Sequence, residues 1–359
     1  MVALVERFRD LPVLVTGHTG FKGAWLSAWL AQAGARVHGI SLPPPDGPSL
    51  FNSLDLARHL ASSQYIDIRD EARIRAAVAA IKPVVVFHLA AQALVRRSYA
   101  EPMETLQTNI LGTANVLNAA RLEGAVRAFV CVTTDKVYEN REWVWSYREN
   151  DPLGGFDPYS ASKAAAEIVT LIFQRGLRRP DNTLWIATAR GGNVVGGGDW
   201  SEDRIVPDVI RALRSGEAIR LRNPNSVRPW QHVLELCEGY LRLGRDLLAQ
   251  TPGSDSAWNF GPSQTGDVKV GEIVKLILER WGRPQHPVVH EPSTVHEAKL
   301  LRIDPSKAIA DLGWRSRLSI PEAIEWTADW YRMTLEEGQH SWATTTSQIA
   351  AFESRIGNA

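Results

Sequence analysis

Two cysteines, Cys131 and Cys237, are all that the chain contains. They cannot build a disulfide framework, and neither sits at a metal-ligand spacing, so no metal is expected and a reducing compartment is the default. Net charge is missing as well. Forty basic and 40 acidic side chains cancel, and without a positive field neither nucleic acid nor a membrane surface is expected as a partner. No apolar run approaches the ~18 residues of a membrane helix. The stretch Met1 to Asp10 carries Glu6, Arg7, Arg9 and Asp10 with no long apolar core, which excludes a secretory signal. Internal repeats and low-complexity linkers are absent too. These absences leave a cytosolic globular protein, and 359 residues suffice for one large α/β domain and a smaller one.

What is present begins with a short apolar run, Pro12 to Thr16, followed by Gly17-His18-Thr19-Gly20-Phe21-Lys22-Gly23 and an apolar-periodic segment from Ala24 to Ala33. Strand, glycine turn and helix in that order form the context of a dinucleotide fingerprint. The first glycine permits the turn, the second lets backbone approach a pyrophosphate, and the third packs helix on strand. The helix start then offers N–H groups to phosphate. Arg36 to Ser41 reads as the second strand. An acidic residue ordinarily ends that strand and holds the adenosine ribose; here Ser41 and Leu42 stand instead. No Arg or Lys follows at once to meet a 2′-phosphate, so NADP is not favoured.

Tyr65-Ile66 reads as strand, and Asp67-Ile68 falls where an adenine could be met, or equally serves as a helix cap and a core residue. Val84 to Leu89 is a strand buried on both faces, ending in Ala90-Ala91-Gln92; His88 within it is read as a packed core histidine. Pro102 to Leu122, with Asn109, is a long helix. Ala128 to Val132 is the next strand, and it runs into Thr133-Thr134-Asp135-Lys136. Ligands of open parallel sheets bind beyond the carboxyl ends of strands, which places those four residues at a site. Leu184 to Arg190 is a further strand. The alternation gives the fold class: α/β, a doubly wound parallel sheet of Rossmann type, with a smaller mixed α/β C-terminal substrate domain.

The pentapeptide Tyr159-Ser160-Ala161-Ser162-Lys163 puts a phenol and an ammonium four residues apart on one helix face. A neighbouring cation lowers a tyrosine pKa from its usual ~10. Such a phenol can take an alcohol proton while the adjacent carbon gives up a hydride. By itself the pattern is weak; its surroundings give it weight. After Arg190 come glycine-rich loops, Gly191-Gly192-Asn193 and Gly196 to Trp200, then Arg204, Arg222, Asn223, Asn225, Arg228, Trp230 and His232. These suit a diphosphate and a base, or else form a solvated basic face. Helices are expected at Val270 to Trp281 and from Pro321 to about Tyr331.

Gly17, Gly20 and Gly23, Asp67-Ile68, Ala90-Ala91, Asn109, Thr134, Tyr159 and Lys163 together resemble the extended short-chain dehydrogenase/reductase (NAD-dependent epimerase/dehydratase) family. The likeness runs from about Pro12 to about Tyr331 and includes Leu94 to Tyr99, Thr134 to Asn140, Gly192 to Trp200 and Arg222 to His232. It implies a redox-neutral dehydration of a nucleotide-linked hexose, CDP-D-glucose, with NAD as cofactor. The ketone product is of the kind that feeds deoxysugars into surface polysaccharide.

The resemblance assigns Gly17, His18, Thr19, Gly20, Phe21, Lys22, Gly23, Ser41, Asp67, Ile68, Leu89, Ala90, Ala91, Asn109, Tyr159 and Lys163 to the cofactor. Gln92, Arg96, Ser98, Asn193, Arg204, Arg222, Asn225, Arg228, Trp230 and His232 fall to the substrate. Tyr159, with Lys163 and Thr134, would take the C4 hydroxyl proton. Lys136 would remove the C5 proton, and a protonated Asp135 would release the C6 hydroxyl as water. Relatives acting on the thymidine-linked sugar carry Asp-Glu where this chain has Asp135-Lys136. A lysine near ~10.4 is not a base at neutral pH, so Lys136 must lose its proton through desolvation or a neighbouring cation.

The expected division is a dinucleotide-binding domain over 1–190, to which the chain returns around 228–262. A nucleotide-sugar domain takes 191–227 and 263–340, and 341–359 is a tail. The family's pairing through two helices implies a homodimer or dimer of dimers; apolar faces around Asn109 to Leu122 and Ala164 to Phe173 could serve, or pack inside one subunit. Competing readings are an epimerase or reductase of the same family, which has no use for Asp135-Lys136, and a non-catalytic dinucleotide-binding protein.

Overall fold

The computed structural model describes residues 4–226, 228–262, 268–291 and 300–357. Its strands are β1 (Pro12–Thr16), β2 (Arg36–Ser41), β3 (Ser62–Tyr65), β4 (Val85–His88), β5 (Ala128–Val132), β6 (Trp185–Gly191), β7 (Val194–Val195), β8 (Ile219–Leu221), β9 (Gln231–His232), β10 (Ala257–Phe260) and β11 (Val288–His290). Seven of them form one sheet in the order β10-β6-β5-β4-β1-β2-β3, parallel throughout. Strands at its centre are apolar because helices cover both faces; every residue of β4 and β5 is buried. This is the doubly wound sheet expected from the alternation.

Boundaries differ by a residue or a few where chemistry at the ends decides. The first helix starts at Phe21, straight from Gly20, and runs to Gln32. β3 covers Ser62–Tyr65 and leaves Ile66 beyond the pairing, buried instead against the helix layer. The helix expected from Pro321 extends over Ile320–Leu335, begun by a capping box between Ser319 and Glu322. The expected Pro102 to Leu122 helix is three consecutive pieces, Pro102–Leu106, a π-helical turn Gln107–Gly112, and Thr113–Leu122. Such π-turns mark functional positions, and Asn109 sits inside this one.

After β9 the chain re-enters the sheet layer. Helix Val233–Leu248 packs on β5 and β6, and β10 closes the sheet beside β6. Residues Ser341–Gly357 form a helix that rests on the helices Phe21–Gln32 and Ile320–Leu335. Ile349 and Phe352 are fully buried there, with the Phe352 ring edge-on to Trp29. β8 and β11 make a separate two-stranded parallel sheet beside helix Ile205–Ser215.

Candidate active site

The glycine turn after β1 is as tight as its residues allow. Gly17 takes φ 78°, and a Cβ there would stand 2.7 Å from the Ala90 backbone nitrogen. A Cβ on Gly23 would lie 2.1 Å from the Gly17 carbonyl oxygen. The loop therefore nests against the end of β4 at Leu89, Ala90 and Ala91, leaving a backbone-lined cradle at the start of helix Phe21–Gln32. A glycine turn at a helix start is the kind of cradle that suits a pyrophosphate, whose oxygens can meet the helix N–H groups.

In place of an acid at the end of β2, the structure has a pair of hydroxyls. Thr19 Oγ1 donates to the Leu42 carbonyl at 3.0 Å and lies 2.8 Å from Ser41 Oγ. His18 is buried with its Nε2 2.8 Å from Ser63 Oγ, and burial lowers its pKa to about 4. Asp67 is bound in a fork by Arg69, whose hydrogen bonds hold its carboxyl below the ordinary range. Ile68 is a core residue beneath Gly112. His88 is core as well, bonded to Thr16 Oγ1 at 2.7 Å and Thr113 Oγ1 at 3.0 Å.

Asp157 caps the helix Pro158–Arg175 by accepting from Ser160 N at 2.9 Å, and Pro158 fills its first turn. The helix carries Tyr159 and Lys163 against the end of β5. Lys163 Nζ donates to the Val132 carbonyl at 2.8 Å. One turn further on, Glu167 accepts from Thr133, from Thr188 Oγ1 at 2.7 Å, and from Arg190 Nε and Nη2 at 3.0 and 2.8 Å. Burial pushes that carboxyl up, but Arg190 and the two threonines outweigh it and hold it ionised. Arg190 also donates to Tyr138 OH at 2.8 Å, which donates to Asn259 Oδ1 at 2.7 Å. Helix, β5, β6 and β10 are thereby locked under the site. Removing one partner of such a buried pair costs ~3–5 kcal/mol.

Past β5, Thr134 Oγ1 donates to Asp135 Oδ1 at 2.9 Å, while Asp135 Oδ2 is buried with no hydrogen-bond partner among the described residues. Burial raises the Asp135 pKa, opposed by Lys136, Thr134, Arg228 and Lys22. The Thr134 hydroxyl also lies close enough to the Tyr159 phenol to act on its pKa. The sequence expectation of a lowered phenol is reversed here. Loss of solvation pushes Tyr159 up to about 12, and the bond from Thr134 and the charge of Arg204 only partly offset it. Lys163 is itself lowered by burial. Lys22, half-buried, is lowered to about 8 by loss of solvation, then by Arg204 and Lys163.

A cavity of about 580 Å³ joins these groups. It is lined by Lys22, Thr134, Asp135, Lys136 and Tyr159 together with Arg96, Asn193, Arg204, Arg222, Arg228 and Trp230. Not every expected residue is there. Gln92 is spent on Leu94 and Thr105, and Asn109 on Gln92 and Ser162. Ser98 accepts from the backbone of Tyr159 at 3.1 Å and holds the start of helix Pro158–Arg175 instead of lining the cavity. His232 is fully buried, caps helix Val233–Leu248 and meets Trp25 and Trp326 edge-on. Asn225 is exposed and off the cavity wall. Those four polar side chains, Gln92, Ser98, Asn225 and His232, do not line the cavity as expected. Conversely, Asp203 and Asp208, unremarked in the sequence, line it. Their spacing about Arg204, one residue before and four after, was the available signal. Among the described residues no group of three or more His, Cys, Asp or Glu could hold a metal ion, and no helix is long and apolar enough to cross a membrane.

Residues 14–327 match the family described as GDP-mannose 4,6 dehydratase. The chain is 44% identical over 324 residues to CDP-glucose 4,6-dehydratase of Salmonella typhimurium, covering 89% of this chain and 90% of that protein. Among solved structures, UDP-glucose 4-epimerase with UDP-glucose from Thermotoga maritima superposes with a TM-score of 0.75 at 26% identity, covering 90% of this chain and 99% of that one. MoeE5 in complex with UDP-glucuronic acid and NAD gives 0.74 at 27% identity, with 90% and 99% covered.

Proposed function

The chain belongs to the GDP-mannose 4,6 dehydratase family, within the extended short-chain dehydrogenases, and from that premise we infer that it converts CDP-D-glucose to CDP-4-dehydro-6-deoxy-D-glucose and water. One observation carries the reading: a buried carboxyl, Asp135, with one oxygen unpartnered, stands between Thr134 and Lys136 in the cavity that holds Tyr159. An epimerase or reductase needs the phenol but has no step for that acid.

Bound NAD would supply reversible hydride chemistry, as acceptor from C4 of the sugar and donor to C6. Gly17, Gly20, Gly23 and the helix start would hold its pyrophosphate, with Thr19 and Ser41 at the ribose end. Tyr159 takes the C4 hydroxyl proton, with the Thr134 hydroxyl beside the phenol. The phenol's starting value of about 12 means that the chain alone does not ionise it; a positive charge beside it must. The C4 ketone acidifies C5, whose proton passes to Lys136. Asp135, kept as the acid by burial, gives its proton to the C6 hydroxyl, which leaves as water. Lys136 then returns the proton to C5.

The reading extends to assembly and place. Met103, Leu111 and Leu122 on one helix run, and Ile168, Leu171 and Ile172 on the catalytic helix, are exposed apolar side chains on adjacent helices. They support pairing with a second copy across this face, in a homodimer or a dimer of dimers. Both reactants are nucleotides of the cytoplasm, where the reaction would supply a deoxysugar route to surface polysaccharide. The sheet with its returning segment forms the dinucleotide-binding part; the loops, β8 and β11 form the nucleotide-sugar part.

The test is product analysis after incubation with NAD and CDP-, dTDP-, GDP- and UDP-linked hexoses. A 6-deoxy-4-keto product from the CDP sugar, without NADH accumulating, is expected. A C4 epimer, NADH released in step with sugar consumed, or no conversion overturns the reading.

A further inference from the structure

Helix Ile205–Ser215 starts at the cavity wall. Arg204, just before it, acts electrostatically on Tyr159 and Lys22, so this end faces the chemistry. Asp208 lies one turn further on, ~6 Å along the axis at 1.5 Å per residue, and still lines the cavity. Its Oδ1 accepts from Arg211 Nη1 at 2.6 Å. Its Oδ2 stands 3.9 Å from Arg222 Nη2, beyond hydrogen-bond distance, and so keeps acceptor capacity. Arg222 follows β8 directly, and its Nη1 donates to Asp203 Oδ1 at 2.6 Å. An acceptor and a donor thus stand side by side on the cavity wall. Loss of solvation raises the Asp208 carboxyl; Arg211 and Arg222 pull it back.

Building on the dehydratase reading above, we propose that Asp208 and Arg222 read the edge of the nucleotide base and select cytosine. Asp208 accepts a hydrogen bond from the exocyclic N4 amine, the pairing that carboxylates make with cytosine in general. Arg222 donates to the neighbouring N3 and O2 acceptors. Uracil and thymine present a carbonyl oxygen where cytosine has the amine, and an N–H where it has N3. Against this pair both contacts turn into like facing like, and a half-buried polar group left unpartnered is what makes discrimination large.

The experiment compares dissociation constants of CDP and UDP for the full chain with NAD, by titration calorimetry. The wild-type chain favours CDP. Asp208→Asn, whose amide can donate to a carbonyl, narrows the CDP-to-UDP ratio on the order of 10- to 100-fold. Asp203→Asn, which loosens Arg222 from its other side, moves both ligands together. An arm that needs no variant uses N4,N4-dimethyl-CDP, which has no amine hydrogen and binds the wild-type chain no better than UDP. No wild-type preference, a ratio unmoved by Asp208→Asn, a ratio narrowed as far by Asp203→Asn as by Asp208→Asn, or dimethyl-CDP binding as well as CDP overturns the proposal. A CDP preference that follows Asp208 in a chain that dehydrates no sugar upholds base reading and rejects the dehydratase instead.

Discussion

Asn109 Nδ2 donates to Ser162 Oγ at 2.8 Å, joining the π-turn to the catalytic helix one residue before Lys163. The same amide closes a reciprocal pair with the Gln92 backbone, Nδ2 to O at 2.9 Å and N to Oδ1 at 2.8 Å. One fully buried side chain therefore sets the loop after β4 and the helix of Tyr159 at a fixed distance. Asn109→Ala leaves these groups unpaired, at ~1–3 kcal/mol for a buried group. We expect a lower melting temperature and a kcat reduced about 10²-fold through misplacement of the phenol. A folded variant with unchanged kcat would contradict this role.

Lys136 is tested by Lys136→Ala. Binding of NADH, followed by its nicotinamide fluorescence, should persist, while dehydration drops by at least ~10²-fold, the lower end for a general base. Deuterium should also cease to enter C5 from heavy water. Near-normal turnover would remove Lys136 from the proton path.

The stability of the chain should fall with rising pH over a defined window. Glu235, on helix Val233–Leu248, accepts from Leu318 N at 2.7 Å and Arg317 N at 2.8 Å. Loss of solvation pushes it up to about 8 from an ordinary 4.5, against those backbone bonds and with help from Glu238. A carboxyl raised on folding is favoured in its protonated form, so its contribution is complete below pH ~4.5, declines as pH climbs to about 8, and then stays constant. Glu235→Gln should flatten this slope: melting temperatures of the two chains converge near pH 4.5, and the variant is the more stable at pH 8.5. Parallel pH profiles would refute the assignment.

How far the sequence revealed this protein depended on whether a residue's partner was near in the chain. Apolar runs named β1, β4 and β5, since a strand buried on both faces writes itself as Val, Leu and Phe. β10 was harder, because Asn259 at its centre is buried only by virtue of Tyr138 and the Tyr147 carbonyl. The helix Ser341–Gly357 hides two threonines, Thr344 and Thr345, in its packed face, which weakens any apolar stripe. At the site, Thr134, Asp135, Lys136 and Tyr159 could be read because strand ends and helix spacing bring them together. Gln92, Ser98 and His232 have the side chains of ligand binders, yet their partners are backbone groups and rings. Residue type alone does not tell a backbone acceptor from a sugar.

Glu167 gives the enzyme a fixed bed and an exchangeable head. With the helix of Tyr159 stapled by one carboxylate to β6 and to the residue that follows β5, the hydride-and-proton end has no slack in which to adapt. Retargeting the chain to another nucleotide is accordingly a matter for the stretch from Asp203 to Arg222, whose side chains reach the cavity from outside that clamp. A library confined to that stretch should yield changed preference at retained chemistry, and one confined to the helix Pro158–Arg175 should yield mostly inactive or unfolded chains.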